Sequence, residues 1–134
     1  MSLRPPSDDD FAAMLELMNA HQLAAYGEAD VTDDELRTWL TTPTVDPQRD
    51  IRVLEEDGRL IGYVDADETG TDPQRWWSDV KIAPDVDAAE IFPQLLGWLE
   101  ERAGDGLLRV WAGSDDERMP VSYTHLTLPT TPYV

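Results

Sequence analysis

The sequence predicts an α+β fold, one mixed sheet flanked by helices, and three observations carry that prediction. An Asp57-Gly58 pair stands between "IRVLEE" and "RLIGYVDAD", the composition of a tight hairpin with positive φ between two strands. The succession "RWWSDVKIA", a helical stretch from Asp87 to Ala103, and "LLRVWAG" describes strand, helix and parallel strand, joined by a crossover that is right-handed by default. Helical spacing of Phe11, Met14, Leu15, Met18 and Leu23 places a helix before the hairpin.

Taken in order, "LRPP" holds only a short first strand, because consecutive prolines remove ladder donors. Ser7 is an N-cap, Asp8 to Asp10 sit at the positive end of the helix dipole, and the first helix ends near Gly27. Thr32 and Glu35 form a capping box for a second helix carrying Leu36, Trp39 and Leu40, stopped by Pro43. "TVDPQRD" reads as a loop, as does the polar stretch that runs through Pro73 after the hairpin. In the strand that follows, Trp76, Ser78, Val80 and Ile82 share one face and Trp77, Asp79 and Lys81 the other. The central helix buries Ile91, Leu95, Trp98 and Leu99, and "GDG" stops it.

At 134 residues the chain is one domain long, and 41% apolar residues suffice for a core. Twenty-eight carboxylates stand against ten Lys plus Arg, a formal charge of −18, which repels nucleic acid and phosphate surfaces at long range. Without cysteine there is no disulfide, thiol nucleophile or thiolate metal site. "MSLRPPSDDD" lacks the apolar run of a secretory signal, no stretch is long enough to span a membrane, and no repeat is found, so the cytoplasm is the expected compartment. The clusters "SDDD", "DADE" and "SDDE" lack calcium-loop spacing and are read as caps and solvated loops, so no metal is expected.

Composition changes abruptly near the end. Ser114 and Glu117 form another capping box, yet Pro120 follows, and "PVSYTHLTLPTTPYV" contains no Asp, Glu, Lys or Arg. Residues 121–130 resemble a translated sequencing adapter, so residues 1–119 are expected to be the native domain and residues 120–134 a non-native tail. The alternative is that "VSYTHLTL" is a genuine edge strand.

The order of elements, with "LRPPSDDDFAAMLELMN", "RVLEEDGRLIGYVDA", "VKIAPD" and "LLGWLEERA", resembles the acetyl-CoA-dependent N-acetyltransferase superfamily known as GNAT over residues 3–119. The resemblance implies a GNAT-like acyl-CoA N-acyltransferase fold, truncated before its last helix and strands. The sequence is similar to the first half of tandem two-domain acetyltransferases, which implies a second acetyltransferase domain of the same full-length chain as partner. In that family an apolar-x-Pro strand end leads into Arg or Gln, two free residues, Gly, one free residue, then Gly or Ala, and backbone N–H groups there hold the coenzyme's pyrophosphate. Laid onto this chain without a gap, the pattern puts Asp87 at the Arg position, Ala88 and Ala89 at the free positions, Glu90 at the first Gly and Phe92 at the second. The resemblance assigns the pantetheine arm to the backbone of Val80, Lys81, Ile82 and Ala83. Acetyl-CoA is thus the cofactor implied, but Asp87 and Glu90 together read as a capping box that consumes the free donors and adds negative charge. Phe92 adds bulk where backbone must approach the ligand, and Pro93 removes a further donor. This fragment is therefore expected not to bind the coenzyme.

Acyl transfer to an amine needs a base, a polarised thioester carbonyl and often an acid for the departing thiolate. Asp79 is the acid nominated as base, its commoner role being that of a solvent-facing strand residue. The family's thiolate acid falls beyond Met119. His21 stands alone on the first helix and reads as structural, and Trp76, Trp77, Trp98 and Trp111 are assigned to packing. Three functions follow: a cofactor-deficient first domain with a structural role, an active acetyltransferase on a small-molecule amine or a protein N-terminus, or an acidic interaction module.

Overall fold

Prolines 5 and 6 end the first strand, β1 (Ser2–Arg4), after three residues, and the chain turns at once into a helix. Arg4 fixes that corner. Its guanidinium donates to both oxygens of Asp10, at 2.7 and 3.0 Å, and to Glu55 at 3.1 Å. The Arg4 bonds pull the Asp10 carboxyl down to about 2, and Asp10 also accepts the Ser7 N–H at 2.7 Å. One 3-10 turn (Asp8–Asp10) leads into α1 (Phe11–Tyr26), which closes on Gly27. The structure, a computed structural model, describes residues 1–71, 74–104, 106–111 and 126–129.

Helix α1 buries Met14 and Met18 as predicted, with Phe11 and Leu15 partly buried against the core; Leu17 and His21 complete the buried stripe, whereas Leu23, predicted to be part of it, is 57% exposed. Thr32 caps α2 (Asp33–Leu40) by accepting the Glu35 N–H at 3.2 Å, as its spacing predicts. The stretch read as a loop before the hairpin contains a helical turn, α3 (Pro47–Asp50). Its local reason is plain: Asp46 accepts the Gln48 N–H, and Pro47 occupies the first helical position, where no donor is needed.

The hairpin forms as predicted. Strands β2 (Ile51–Glu56) and β3 (Arg59–Asp65) pair antiparallel around Asp57 and Gly58, whose φ angles are +53° and +78°. The stretch after it is not a polar loop but mostly strand. Asp67–Thr71 form β4, antiparallel to the first half of β5 (Gln74–Ile82), while β3 pairs with the second half of β5. β-poor residues are held extended there by pairing with an aromatic-rich neighbour. The predicted alternation in β5 is observed: Trp76, Ser78, Val80 and Ile82 are buried, while Trp77, Asp79 and Lys81 face the other side. Trp77 departs from its assignment to packing. It is 37% exposed, with the Arg109 guanidinium 5.6 Å from its ring centroid.

Helix α4 (Ala88–Ala103) crosses to β6 (Leu107–Trp111), which runs parallel to β5. Ile91, Phe92, Leu95, Leu96 and Leu99 are buried, and Trp98, predicted to be fully inside, is half-buried beneath the Arg52 guanidinium. The mixed sheet runs β1-β2-β3-β5-β6-β7, with β4 beside β5 and β7 (Leu126–Pro129) antiparallel to β6. Residues 112–125, which hold the Ser114–Glu117 capping signal, lie outside the described residues, as does the side chain of Trp111. A Cβ placed on Gly62 meets Ile91 and Leu95 of α4, so α4 covers that face of the sheet. Tyr63, its alternating neighbour, meets α2 through Trp39 on the opposite face.

Candidate functional site

Two places carry the sequence-predicted site residues, one at each end of the route from β5 to α4. The first is the turn from strand to helix. The Ala83 N–H donates to the Ile61 carbonyl at 2.9 Å, which keeps β5 in the sheet to its last residue. Pro84 and Asp85 then expose the chain, and Arg59 grips Asp85 through two bonds of 2.7 and 2.6 Å. Asp87 is the N-cap of α4, and its Oδ1 accepts the Ala89 N–H at 3.0 Å. Glu90 lies exposed in the same first turn.

This geometry corrects two details of the sequence reading. Glu90 makes no side-chain bond back to Asp87; its N–H bonds the Asp87 carbonyl at 3.1 Å, so the cap is single-sided. Phe92 does not stand over the turn: at 1% exposure it belongs to the buried stripe, with Ala88 and Ile91 beside it. What remains is electrostatic. The first-turn donor of Ala89 is engaged from within, and among the described residues no ion pair offsets Asp87 or Glu90.

Upstream, β6 partners β5 as far as Asp79 among the described residues. At Ile82, further along the same strand, a side chain from α1 also meets the backbone. His21 is fully buried, and its Nδ1 lies 3.2 Å from both the N–H and the carbonyl oxygen of Ile82. The structural role read for His21 is thus a specific one. It is the hydrogen-bond partner of one of the four residues, Val80 to Ala83, that the resemblance assigns to the pantetheine arm.

The second place is a cavity of about 220 Å³ between α1, α2 and the sheet, lined by Met18, Val31, Leu36, Trp39, Tyr63, Asp65, Asp79 and Lys81 among others. Asp79 is therefore not a solvent-facing strand residue; it is half-buried beside a second acid. Asp65, only 3% exposed, accepts the Tyr63 hydroxyl at 2.6 Å and the Asp79 N–H at 2.9 Å. Tyr63 in turn accepts the Trp39 indole N–H at 2.8 Å. Burial, then the charge of Asp79, push the Asp65 carboxyl up to about 7. Burial also raises Asp79, partly offset by Lys81, and raises the Tyr63 hydroxyl well above its ordinary value. Chemically, the arrangement can accept a proton or hold a cation. Asp65 escaped the sequence reading because only strand register sets it against Asp79. The signal that could have found it is "YVDAD", which sets an acid two residues after a tyrosine and hence on the same face of a strand.

A larger cavity, about 590 Å³, lies between the start of α1 and α2, but its charged lining residues Asp8 and Arg37 are exposed. Among the described residues no helix is long and apolar enough to cross a membrane.

No family model matches the chain, and no curated protein matches it in sequence. Solved structures do match. A GCN5-related N-acetyltransferase from Sphaerobacter thermophilus superposes with a TM-score of 0.67 at 21% identity, over 83% of this chain but only 37% of that one. A ribosomal-protein-alanine N-acetyltransferase from Brucella melitensis gives 0.65 at 22% identity, covering 82% of this chain and 73% of that one. A phosphinothricin acetyltransferase from Sinorhizobium meliloti, solved with acetyl-CoA, gives 0.66 at 20% identity over 84% and 66%. With its mixed sheet, paired helices on one face and crossover helix on the other, the chain has the fold of the GNAT acetyltransferases.

Proposed function

We propose that residues 1–119 form the cofactor-deficient first domain of a longer acetyltransferase and support a catalytic second domain of the same chain. The observation that carries this reading is the bond from Ala89 N–H to Asp87 Oδ1 at the head of α4, with Glu90 in the same turn. A diphosphate approaching that helix end meets carboxylates where it needs free donors and positive potential. The His21 imidazole on Ile82 adds a second obstacle, at the strand that the pantetheine arm would follow. The Sphaerobacter neighbour, most of whose chain this sequence leaves unmatched, supports the idea of a unit within a longer protein. Residues 121–130 are, in this reading, a scar; their high β-propensity is enough to lay a strand along the open edge of β6.

Recovery of the full-length gene tests the proposal, followed by acetyl-transfer assays on each half. Activity confined to the second half supports it. A gene that stops after one complete domain, or activity in the first half alone, overturns it.

A second reading is favoured by the acid pair at Asp65 and Asp79: an active acetyltransferase on a small-molecule amine or a protein N-terminus, with Asp79 as base. Acetyl-transfer from the first half, abolished by Asp79→Asn, distinguishes it from the first.

A further inference from the structure

The cavity of about 590 Å³ beside the start of α1 shares no lining residue with the one that holds Asp65 and Asp79, and among the described residues none that lines it lies on a strand. Its walls are apolar: Pro6 and Met14 are buried, and Phe11, Leu40 and Pro47 half-buried. They are also pinned. The Gln48 side-chain amide donates to the Pro6 carbonyl at 2.9 Å, which ties α3 to the corner leading into α1. At the end of α2, the Thr41 and Thr42 hydroxyls donate to the Arg37 and Thr38 carbonyls, each at 2.8 Å, so these last-turn acceptors are satisfied within the chain. A space of this size, walled before any ligand arrives, lies in the range that takes a small molecule.

The cation lining it is Arg37. In a chain of 28 carboxylates, Arg4 pairs with Asp10 and Glu55, Arg49 and Arg102 with Asp50, and Arg59 with Asp85. Among the described residues Arg37 forms no ion pair, although Asp33 and Asp34 lie one turn earlier on α2. Its guanidinium lies over the Phe11 ring instead, 4.6 Å from the centroid. A guanidinium packed on an aromatic ring keeps its N–H edge for a planar acceptor, and that fork matches a carboxylate through two parallel bonds. An open guanidinium beside apolar walls is complementary to a ligand with a carboxylate at one end and an apolar body at the other.

We propose that this cavity binds a small arylalkyl carboxylate, the Arg37 guanidinium donating to its carboxylate and its apolar body lying against Met14, Leu40 and Pro47. The site goes beyond the cofactor-deficient reading and does not rest on it, because none of its residues belongs to the turn at Asp87 or to the acid pair. Asp8, exposed and also lining the cavity, opposes an incoming anion. Its charge acts through water, whereas Arg37 bonds the ligand directly, so the arginine decides which ligand charge is preferred.

Titration of the full chain with hydrocinnamate, followed by calorimetry and by the Met14 methyl resonance, tests the proposal. Neutral hydrocinnamamide and cationic phenethylammonium are its counterparts of similar size. The expected result is saturable binding of hydrocinnamate, weaker by about tenfold or more for either counterpart and for Arg37→Gln. Binding should strengthen by about twofold in Asp8→Asn and stay unchanged in Glu56→Gln on the distant hairpin. Arg37→Lys keeps the charge but loses the fork, so it should bind about fivefold more weakly than the native chain. Equal binding of hydrocinnamamide or phenethylammonium, or of hydrocinnamate to Arg37→Gln, overturns the proposal. So does the lack of saturable binding at about 50 mM ligand, or a shift of the Trp39 indole N–H resonance in place of the Met14 methyl, which would put the ligand in the other cavity. The comparison of the three ligands uses the unaltered protein, so it holds even where a variant folds poorly. Acetyl-CoA binding at the head of α4 leaves these outcomes untouched.

Discussion

Replacing Asp65 by Asn should remove most of a pH dependence that the native protein carries between pH 5 and 8. In the folded state burial and the neighbouring Asp79 push the Asp65 carboxyl up to about 7, against an ordinary 3.8. Between those values the native protein holds a proton that the unfolded chain has released. The contribution of Asp65 to stability is therefore fully present below about pH 4 and is lost as pH rises through about 7. At about 1.4 kcal/mol per unit the whole excursion is about 4 kcal/mol, of which about 3 kcal/mol falls between pH 5 and 8. Asp10, held down to about 2 by Arg4, titrates below this window and has the opposite sign: its contribution is lost as pH falls. Asp67 is also raised, but by burial and Asp50, so it is present in both proteins and cancels in the difference; Asp79, beside Asp65, titrates with it as a pair, and the difference reports that pair. Urea unfolding of the native chain and Asp65→Asn at pH 5, 6, 7 and 8, followed by tryptophan fluorescence, supplies that difference. The native advantage over the variant should shrink by about 3 kcal/mol across the series. A difference that stays constant with pH would show that Asp65 is ionised in the folded state, and the reasoning would fail.

Other perturbations test the packing that positions the site. Asp50 is 2% exposed and bonded by Arg49 and Arg102, the latter also lying 4.7 Å over the Trp76 ring, so Asp50→Asn should cost about 3 kcal/mol in urea unfolding. Gly62→Ala puts a Cβ 3.3 Å from Leu54 Cβ and 3.4 Å from Leu95, so a loss of about 1 kcal/mol is expected, and an unchanged midpoint would mean that α4 packs more loosely on β3. Asp87→Ala removes the α4 cap and should lower stability by about 1 kcal/mol; no loss would mean that the Ala89 N–H bond contributes nothing to the helix.

The elements legible in the sequence are those whose signals are local. Asp57-Gly58 specifies its own turn geometry, and the alternation in "RWWSDVKIA" declares both faces of β5 whatever its partners. β4 was illegible because "DETGT" has little strand preference; it is extended through pairing with β5, a tertiary effect. The stripe of α1 is legible in Met14 and Met18 but not at its end, because leucines and methionines occur on several faces of the helix and only the docked sheet selects Leu17 over Leu23. At the site, Asp79 could be nominated from its place on a strand. Its partner Asp65, fourteen residues earlier, could not, since the register that sets them side by side is a property of the sheet. Similarly, a lone histidine gives no hint that it will sit on the Ile82 backbone, 61 residues away.

The account turns on whether the head of α4 can hold a coenzyme, and a calorimetric titration of acetyl-CoA into this domain measures that directly. With Ala89 N–H committed to Asp87 and Glu90 beside it, no saturable heat is predicted, with any dissociation constant above about 1 mM. Micromolar binding, lost when unlabelled coenzyme A competes, would contradict it.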